Sequence, residues 1–306
     1  MTNLRRHRIF VLLAVFMLLA VVAAGCGTEK TPDQTTDKGA QEPAAQVSME
    51  KLANDYFDNM PDNIYKIPLE ELKAKVDAND SSILIVDIRS AEDYSKGHIK
   101  GSVNIPFAEM GKYLDKLPGD KEIIVACYTG QTAGQTVAVL NVYGYNARSL
   151  HLGVKSGWVG KTNYPLDTTA VSLPTGVTPA KAPSAEIAQQ CADYFNNLPE
   201  SLNKIDSDKL KAKIDAKEDI QIVSIRDAKD YVKGDIPGAI NIPFKEVNKN
   251  LDKISKDKPV VVSCYTGQTA GQTVAILKLL GYDAYSLSSG FDLGWTAGGF
   301  PVVVPE

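Results

Sequence analysis

The chain is poor in the residues that build disulfide scaffolds and histidine metal sites, because its 306 residues include only four cysteines and three histidines. Four cysteines are too few to hold a chain of this length together by disulfide bonds. Basic residues are not in excess either, since Lys and Arg number 33 against 37 Asp and Glu. Nucleic-acid binding normally requires a basic face. We therefore predict no metal site, no cofactor and no nucleic-acid partner.

Apolar residues, in contrast, are abundant. They make up 44% of the chain, and charged residues make up 23%. These proportions are typical of soluble globular proteins and exclude a largely disordered chain. The length is sufficient for two domains of about 100–200 residues each.

The longest apolar run lies at the N-terminus, where Arg5, Arg6 and Arg8 precede the sixteen apolar residues Ile9–Ala24. A run of this length is typical of a signal peptide, because a membrane-spanning helix needs about 20 residues. The small residues directly before Cys26 resemble a bacterial lipobox, in which the cysteine is acylated after cleavage. The alternative is an uncleaved anchor helix.

We accordingly predict an exported protein that is lipid-anchored at the bacterial cell envelope. Residues 1–25 are the predicted lipoprotein signal peptide, and Cys26 is the predicted lipidation site. Residues 26–47 are predicted to form a flexible tether, because this stretch has almost no large apolar side chain to bury.

The remainder of the chain contains one unit twice. The ten residues Cys127–Thr136 recur without change as Cys264–Thr273. So long a period indicates tandem domains rather than a solenoid, and prolines are dense between the two copies. We predict a first domain at 48–162, a Pro-rich linker at 163–184 and a second domain at 185–306.

Each copy alternates short β-branched runs with helical patterns. Ile83–Ile88 and Ile123–Ala126 are almost entirely apolar, as are their counterparts Ile220–Ile225 and Val260–Ser263. Such runs are typical of strands buried on both faces of a parallel sheet. The predicted fold class is therefore α/β, with a small central parallel sheet flanked by helices in each of two tandem domains.

A cysteine follows the second of these runs in each copy, and a polar loop and a helix come next. This order places Cys127 and Cys264 at the carboxyl edge of a sheet, where α/β proteins hold their ligands. Loop amides and the positive end of the helix favour the thiolate, which is the nucleophilic form of cysteine. The alternative for a single cysteine is a small buried hydrophobic residue.

The ordered motifs of each copy resemble those of rhodanese-type sulfurtransferases. In the first copy they are Asp87–Arg89, Glu92–Tyr94, Gly97–Gly101, Val103–Pro106, the Cys127 loop, Gly144–Tyr145 and Gly157–Trp158. The resemblance implies two rhodanese-like domains and a cysteine that takes sulfane sulfur from a donor and holds it as a persulfide. It further implies a small donor (thiosulfate, a polysulfide or a persulfide) and a thiol or cyanide as acceptor.

The same resemblance implies the site residues. Cys127 and Cys264 are the nucleophiles, and the loops after them cradle the transferred sulfur with backbone amides and threonine hydroxyls. The predicted cradle consists of Tyr128, Thr129, Gly130, Gln131 and Thr132 in the first copy and of Tyr265, Thr266, Gly267, Gln268 and Thr269 in the second.

The chain departs from the family pattern in its charges. Many family members carry Arg or Lys in the cysteine loop, whereas both loops here are uncharged, which argues against efficient use of thiosulfate. This neutrality favours an alternative function, a non-catalytic sulfur carrier or thiol-binding protein. In the second copy Ser224 replaces Asp87 and Asp235 replaces His98.

Several other residues receive structural predictions. We expect Arg89 and Arg226 to form ion pairs with Asp93 and Asp230, respectively, and His98 to pair within a turn. Cys191, Trp158 and Trp295 are predicted to be packing residues. A Cys127–Cys264 disulfide stays open, because export permits one. Phosphatase chemistry is excluded, because alanines (Ala133 and Ala270) stand where a Cys-x5-Arg motif needs its arginine.

Overall fold

The computed structural model describes residues 47–305. The predicted signal peptide, Cys26 and residues 26–46 of the predicted tether lie outside the described residues. Between residues 47 and 305, no helix combines the length and the apolar character that crossing a bilayer requires.

Each copy of the repeat folds around its own five-stranded parallel sheet, flanked by helices, as predicted. The strands of the first repeat are β1 (Lys66–Ile67), β2 (Ile83–Asp87), β3 (Val103–Asn104), β4 (Glu122–Ala126) and β5 (Ala147–Leu150). Those of the second are β6 (Lys204–Ile205), β7 (Gln221–Ser224), β8 (Ala239–Asn241), β9 (Val260–Ser263) and β10 (Ala284–Leu287). The strand orders, β1-β5-β4-β2-β3 and β6-β10-β9-β7-β8, are equivalent.

Helices fill the connections between the strands. Serine side chains cap the first helix of each repeat, since Ser48 accepts from the Lys51 amide and Ser184 from the Ile187 amide. The helices are α1 (Met49–Asp58), α2 (Leu69–Asp77), α3 (Ala91–Lys96) and α4 (Gln131–Tyr143) in the first repeat, and α5 (Ala185–Asn196), α6 (Ser207–Asp215), α7 (Ala228–Tyr231) and α8 (Gln268–Leu279) in the second. A short 3₁₀ helix spans Phe107–Lys112, two 3₁₀ pieces separated by a kink at Asn250 span Phe244–Lys253, and π-helical turns span Gly153–Val159 and Phe291–Thr296.

The central strands bring the site to one sheet edge. All five residues of β2 are buried, and its register with β4 runs from Ile83 opposite Glu122 to Asp87 opposite Ala126. The two strands therefore end side by side, and the residues that follow them meet at the carboxyl edge. Cys127 is the first residue after β4.

The two repeats share a hydrophobic core, in which α4 packs against α8. The first helix of each repeat also packs on the other repeat. Phe57 of α1 makes an edge contact with Phe244, and Phe195 of α5 makes the equivalent contact with Phe107, both with ring centroids 5.8 Å apart. This exchange fixes the repeats to one another. Experiments on either site therefore require a protein that contains both repeats.

The contacts that α4 and α8 make with the opposite repeat are reciprocal and use the part of the ten-residue motif that begins at Gln131. The side-chain amide of Gln131 donates from Nε2 to Ser286 Oγ at 2.7 Å, and the side-chain amide of Gln268 donates from Nε2 to Ser149 Oγ at 2.8 Å. An alanine at Gly134 would place its Cβ against the carbonyl oxygen of Gln268. Identical residues face identical residues, as at an interface between two equivalent subunits.

The connector between the repeats is held against the first one. His98 and Asp167 exchange two backbone hydrogen bonds of 2.8 and 2.7 Å, and the Gly119 amide donates to the Thr178 carbonyl at 2.9 Å. The Pro-rich segment is therefore tied to the first repeat and is not a free hinge.

Candidate active site

The thiol sulfur in each repeat lies at the N-terminus of a helix. Cys127 Sγ accepts hydrogen bonds from the amides of Gly130 at 3.1 Å and Ala133 at 3.4 Å. Cys264 Sγ accepts from the amides of Gly267 at 3.1 Å and Ala270 at 3.3 Å. Both sulfurs therefore accept hydrogen bonds from equivalent amides, and both cysteines are 2% exposed.

The local sequence explains this geometry. A helix leaves its first amides without partners, and a serine or aspartate side chain usually accepts from them. Here the N-cap residue of α4 is Gly130, which has no side chain and adopts φ 93°. The cysteine sulfur takes the place of the capping oxygen, so the helix dipole and two amides favour negative charge on sulfur.

The structure modifies the predicted sulfur cradle. Backbone amides do face the sulfur, but they belong to residues three and six positions after the cysteine, and the sequence reasoning missed Ala133 and Ala270. Among residues 47–305, none of the hydrogen bonds to either sulfur comes from a threonine hydroxyl. The position of the alanine, three residues after an N-cap glycine, is the signal that identifies its amide as a donor.

Two predicted cradle side chains point elsewhere. The Gln131 side chain bonds to the end of β10, where its amide also reaches the Leu287 carbonyl at 3.0 Å. The Gln268 side chain bonds to the end of β5, reaching the Leu150 carbonyl at 3.0 Å. These glutamines therefore join the repeats through their side chains, close to the two cysteine loops.

Tyrosine side chains close the rim of each loop. The Tyr128 hydroxyl donates to Asp93 Oδ2 at 2.5 Å, and the Tyr265 hydroxyl donates to Asp230 Oδ2 at 2.8 Å. The hydroxyl of Tyr128 is the main reason that the pKa of Asp93 lies below its ordinary value. Burial first and the bond to Asp230 second raise the pKa of Tyr265 to about 12. Tyr265 therefore stays a neutral donor at neutral pH.

The predicted partners of the two arginines were wrong. Arg89 forms its ion pair with Asp87, with Nη2 at 2.6 Å from Oδ2, and both side chains are buried. Arg226 pairs with Asp235, with Nη1 at 2.9 Å from Oδ2, and these are buried too. The carboxylates of Asp93 and Asp230 instead accept hydrogen bonds from the hydroxyls of Tyr128 and Tyr265.

The substitutions in the second repeat preserve a buried ion pair. Ser224 stands where Asp87 would supply the carboxylate, but its hydroxyl donates to Asp235 Oδ2 at 2.6 Å. Asp235 itself replaces His98, whose ring in the first repeat lies near the carbonyl oxygens of Tyr94 and Thr169. The carboxylate is thus supplied by the end of the strand in the first repeat and by the segment after α7 in the second.

Cys264 opens onto a cavity of about 550 Å³ that both repeats line. The first repeat contributes Lys66 and His151, and the second contributes Thr266 and Thr269 among others. Burial lowers the pKa of Lys66, while the interaction with Cys264 acts in the opposite direction. Burial, then the charge of Lys66, lowers the pKa of His151. The cavity therefore contains a basic group that the cysteine loop lacks.

Other sequence predictions concern packing. Trp158 and Trp295 are 1% and 0% exposed, which confirms them as core residues. Cys191 is buried in α5, and burial raises the pKa of its thiol to about 12. Cys127 and Cys264 are both free thiols, so no disulfide joins them. The part of the chain that the structure describes holds no cluster of His, Cys, Asp or Glu suited to a metal ion.

Comparison with known proteins agrees with these features. The rhodanese-like domain family matches residues 68–160 and 206–297. A sulfurtransferase of Allochromatium vinosum is 32% identical over 105 residues, covering 34% of this chain and 98% of that protein. A thiosulfate:glutathione sulfurtransferase of Saccharomyces cerevisiae is 30% identical over 118 residues, covering 34% of this chain and 85% of that protein.

Among solved structures, the 3-mercaptopyruvate sulfotransferase SseA of Escherichia coli matches with 21% identity and a TM-score of 0.36. The match covers 73% of this chain and 97% of that one. The two family matches, each holding one cysteine loop, together span more than half of the sequence. The chain therefore belongs to the rhodanese-like family, of which it contains two tandem domains, and its relatives associate it with sulfur transfer.

Proposed function

We propose that this chain is an exported sulfurtransferase that holds sulfane sulfur as a persulfide on Cys127 and Cys264. The observation that supports this proposal is the pair of backbone amides directed at each sulfur from the start of a helix. Fixed donors of this kind stabilise negative charge without reorganising, as an oxyanion hole does.

The proposed reaction has two steps. The cysteine thiolate attacks the outer sulfur of the donor, a new S–S bond forms, and the S–S bond of the donor breaks. The leaving group, which is sulfite when thiosulfate is the donor, departs with the electron pair. A thiol or cyanide acceptor then attacks the outer sulfur of the persulfide, and the cysteine thiolate is released.

Loss of the two nucleophiles tests the proposal. The body from residue 47 is expected to gain one sulfur atom at Cys127 and one at Cys264 when treated with thiosulfate or a polysulfide. Cys127→Ser and Cys264→Ser should each lose one of these additions, and the double variant should lose both, because a serine hydroxyl is not a thiolate nucleophile. Intact-protein mass spectrometry measures the additions.

Cys191 is an internal control in the same experiment. Its thiol is buried and has a raised pKa, so the double variant, in which Cys191 is intact, should remain unmodified. An unmodified wild-type protein after both treatments would contradict the proposed function.

A sulfur carrier is the second candidate. The burial of both sulfurs and the absence of charged side chains in the loops favour slow turnover with small donors. Addition of cyanide to the loaded protein discriminates the two functions. Repeated turnover to thiocyanate supports the enzyme, whereas a stable persulfide without turnover supports the carrier.

The cellular location is part of the proposal and rests on the N-terminal sequence. In a bacterial host, we expect the full-length protein in the membrane fraction. Cys26→Ser should lack the acyl chains that hold the wild-type protein there. Fractionation and the mass of the N-terminal peptide measure this. Equal membrane association of the wild-type protein and Cys26→Ser, together with an unmodified Cys26 in the wild-type protein, would support the uncleaved anchor helix.

A further inference from the structure

The Cys264 cavity contains a cation from the other repeat that lacks an acidic partner. Lys66 lies on β1, is half-buried, and lines the cavity with the cysteine. Ion pairs occur throughout residues 47–305, but none of them involves Lys66. Removing an ammonium from water without giving it a counter-charge is unfavourable. An anion in the cavity would supply that counter-charge.

The other charged groups of the cavity are more exposed. Lys245, Asp227 and Glu246 also line it. The side chains of Lys245 and Asp227 are 53% and 65% exposed, respectively, and Glu246 is exposed too. Solvent screens such groups strongly, so the one cation and two carboxylates act weakly inside the cavity. Lys66 is therefore the charge that acts most strongly on a molecule beside Cys264.

We infer that Lys66 is a substrate-binding residue of the Cys264 site, where it selects sulfur donors that carry an anionic group. This inference rests on the proposed function. Lys66 holds the anionic group while the Cys264 thiolate attacks the outer sulfur, and the departing anion, sulfite in the case of thiosulfate, is stabilised by the same ammonium. The charge that the uncharged loop lacks thus comes from the first repeat.

The second repeat offers a matched control. Lys204 is the counterpart of Lys66 and is also half-buried, but it does not line the Cys264 cavity. Lys66→Gln should remove the charge with little change in size, and Lys66→Arg should keep it. Lys204→Gln should leave Cys264 unaffected.

Two alkylating reagents of nearly the same shape test the inference independently of sulfur transfer. Iodoacetate is an anion and iodoacetamide is neutral, so the ratio of their rates at Cys264 reports the local potential. We expect Lys66→Gln to lower this ratio by about tenfold, the effect of one nearby charge in a partly screened site. Lys66→Arg and Lys204→Gln should retain the wild-type ratio. Peptide mass spectrometry resolves Cys264 from Cys127, whose ratio should not respond to Lys66.

Thiosulfate loading provides the second measurement. Lys66→Gln should reduce the rate of persulfide formation at Cys264 by a similar factor and leave Cys127 unchanged. An unaltered alkylation ratio in Lys66→Gln, or an equal change in Lys204→Gln, would overturn the inference. Absence of sulfur loading in the wild-type protein would instead overturn the proposed function, while the alkylation ratio would still decide the role of Lys66.

Discussion

Replacing Gly153 by alanine is expected to abolish sulfur loading at Cys127 and to leave Cys264 active. Gly153 adopts φ 64°, and an added Cβ would contact the carbonyl oxygen of Cys127 and the amides of Thr129 at 2.7 Å and Gly130 at 2.8 Å. All three contacts are with backbone, so the loop itself must move. The Gly130 amide would then leave the sulfur. Loss of one such donor costs about 100-fold or more in rate.

The second repeat supplies the reciprocal experiment. An alanine at Gly290 would meet the carbonyl oxygen of Cys264 at 2.5 Å and the amides of Gly267 at 2.5 Å and Thr266 at 2.7 Å. Gly290→Ala should therefore abolish loading at Cys264 alone. The measurement is the persulfide content of the two cysteine peptides after treatment with a polysulfide.

Gly101→Ala is the matched control for both variants. Gly101 also has a positive φ, 80°, but an added Cβ would have no neighbour within 4 Å. This variant carries the backbone strain without the clash and should load both cysteines normally. Equal loading of Cys127 in Gly153→Ala and in wild type would show that the geometry of the loop does not control the chemistry.

The sequence was sufficient to predict the sheet and the position of Cys127. Ile83–Asp87 is apolar enough to be buried on both faces, and a strand that ends at Ala126 necessarily places Cys127 at the sheet edge. The predicted partner of Arg89 was Asp93, four residues later, whereas the observed partner, Asp87, is two residues earlier. In extended backbone, residues two apart lie on the same face, which is the relation between Asp87 and Arg89.

Contacts between the repeats were beyond prediction from one sequence. In each ten-residue motif, the five residues after the cysteine were predicted to cradle the transferred sulfur. The structure divides the ten-residue motif into a first part around the cysteine and a second part, beginning at Gln131, that joins the two repeats. The approach of Lys66 to Cys264 depends on how the two repeats pack, and no local pattern encodes it.

The different ion pairs of the two repeats lead to the second prediction. Asp87→Ser should lower the free energy of unfolding by about 3–5 kcal/mol, because it leaves the buried Arg89 guanidinium without a counter-charge. His98→Asp should also destabilise the protein, since it places a second buried carboxylate near Asp87 and removes the contacts of the imidazole with Tyr94 and Thr169. Urea denaturation measures both changes.

The double substitution Asp87→Ser with His98→Asp is expected to be more stable than the sum of the two single changes predicts. It recreates the arrangement of the second repeat, where Asp235 accepts from the Ser224 hydroxyl, the Arg226 guanidinium and the Ile236 amide. We expect the two substitutions to be coupled by about 2 kcal/mol or more, within the range for residues of one network. Strictly additive losses would mean that the carboxylate cannot be moved between these positions. A coupled result would show that the fold requires one buried carboxylate beside this arginine and accepts it from either element.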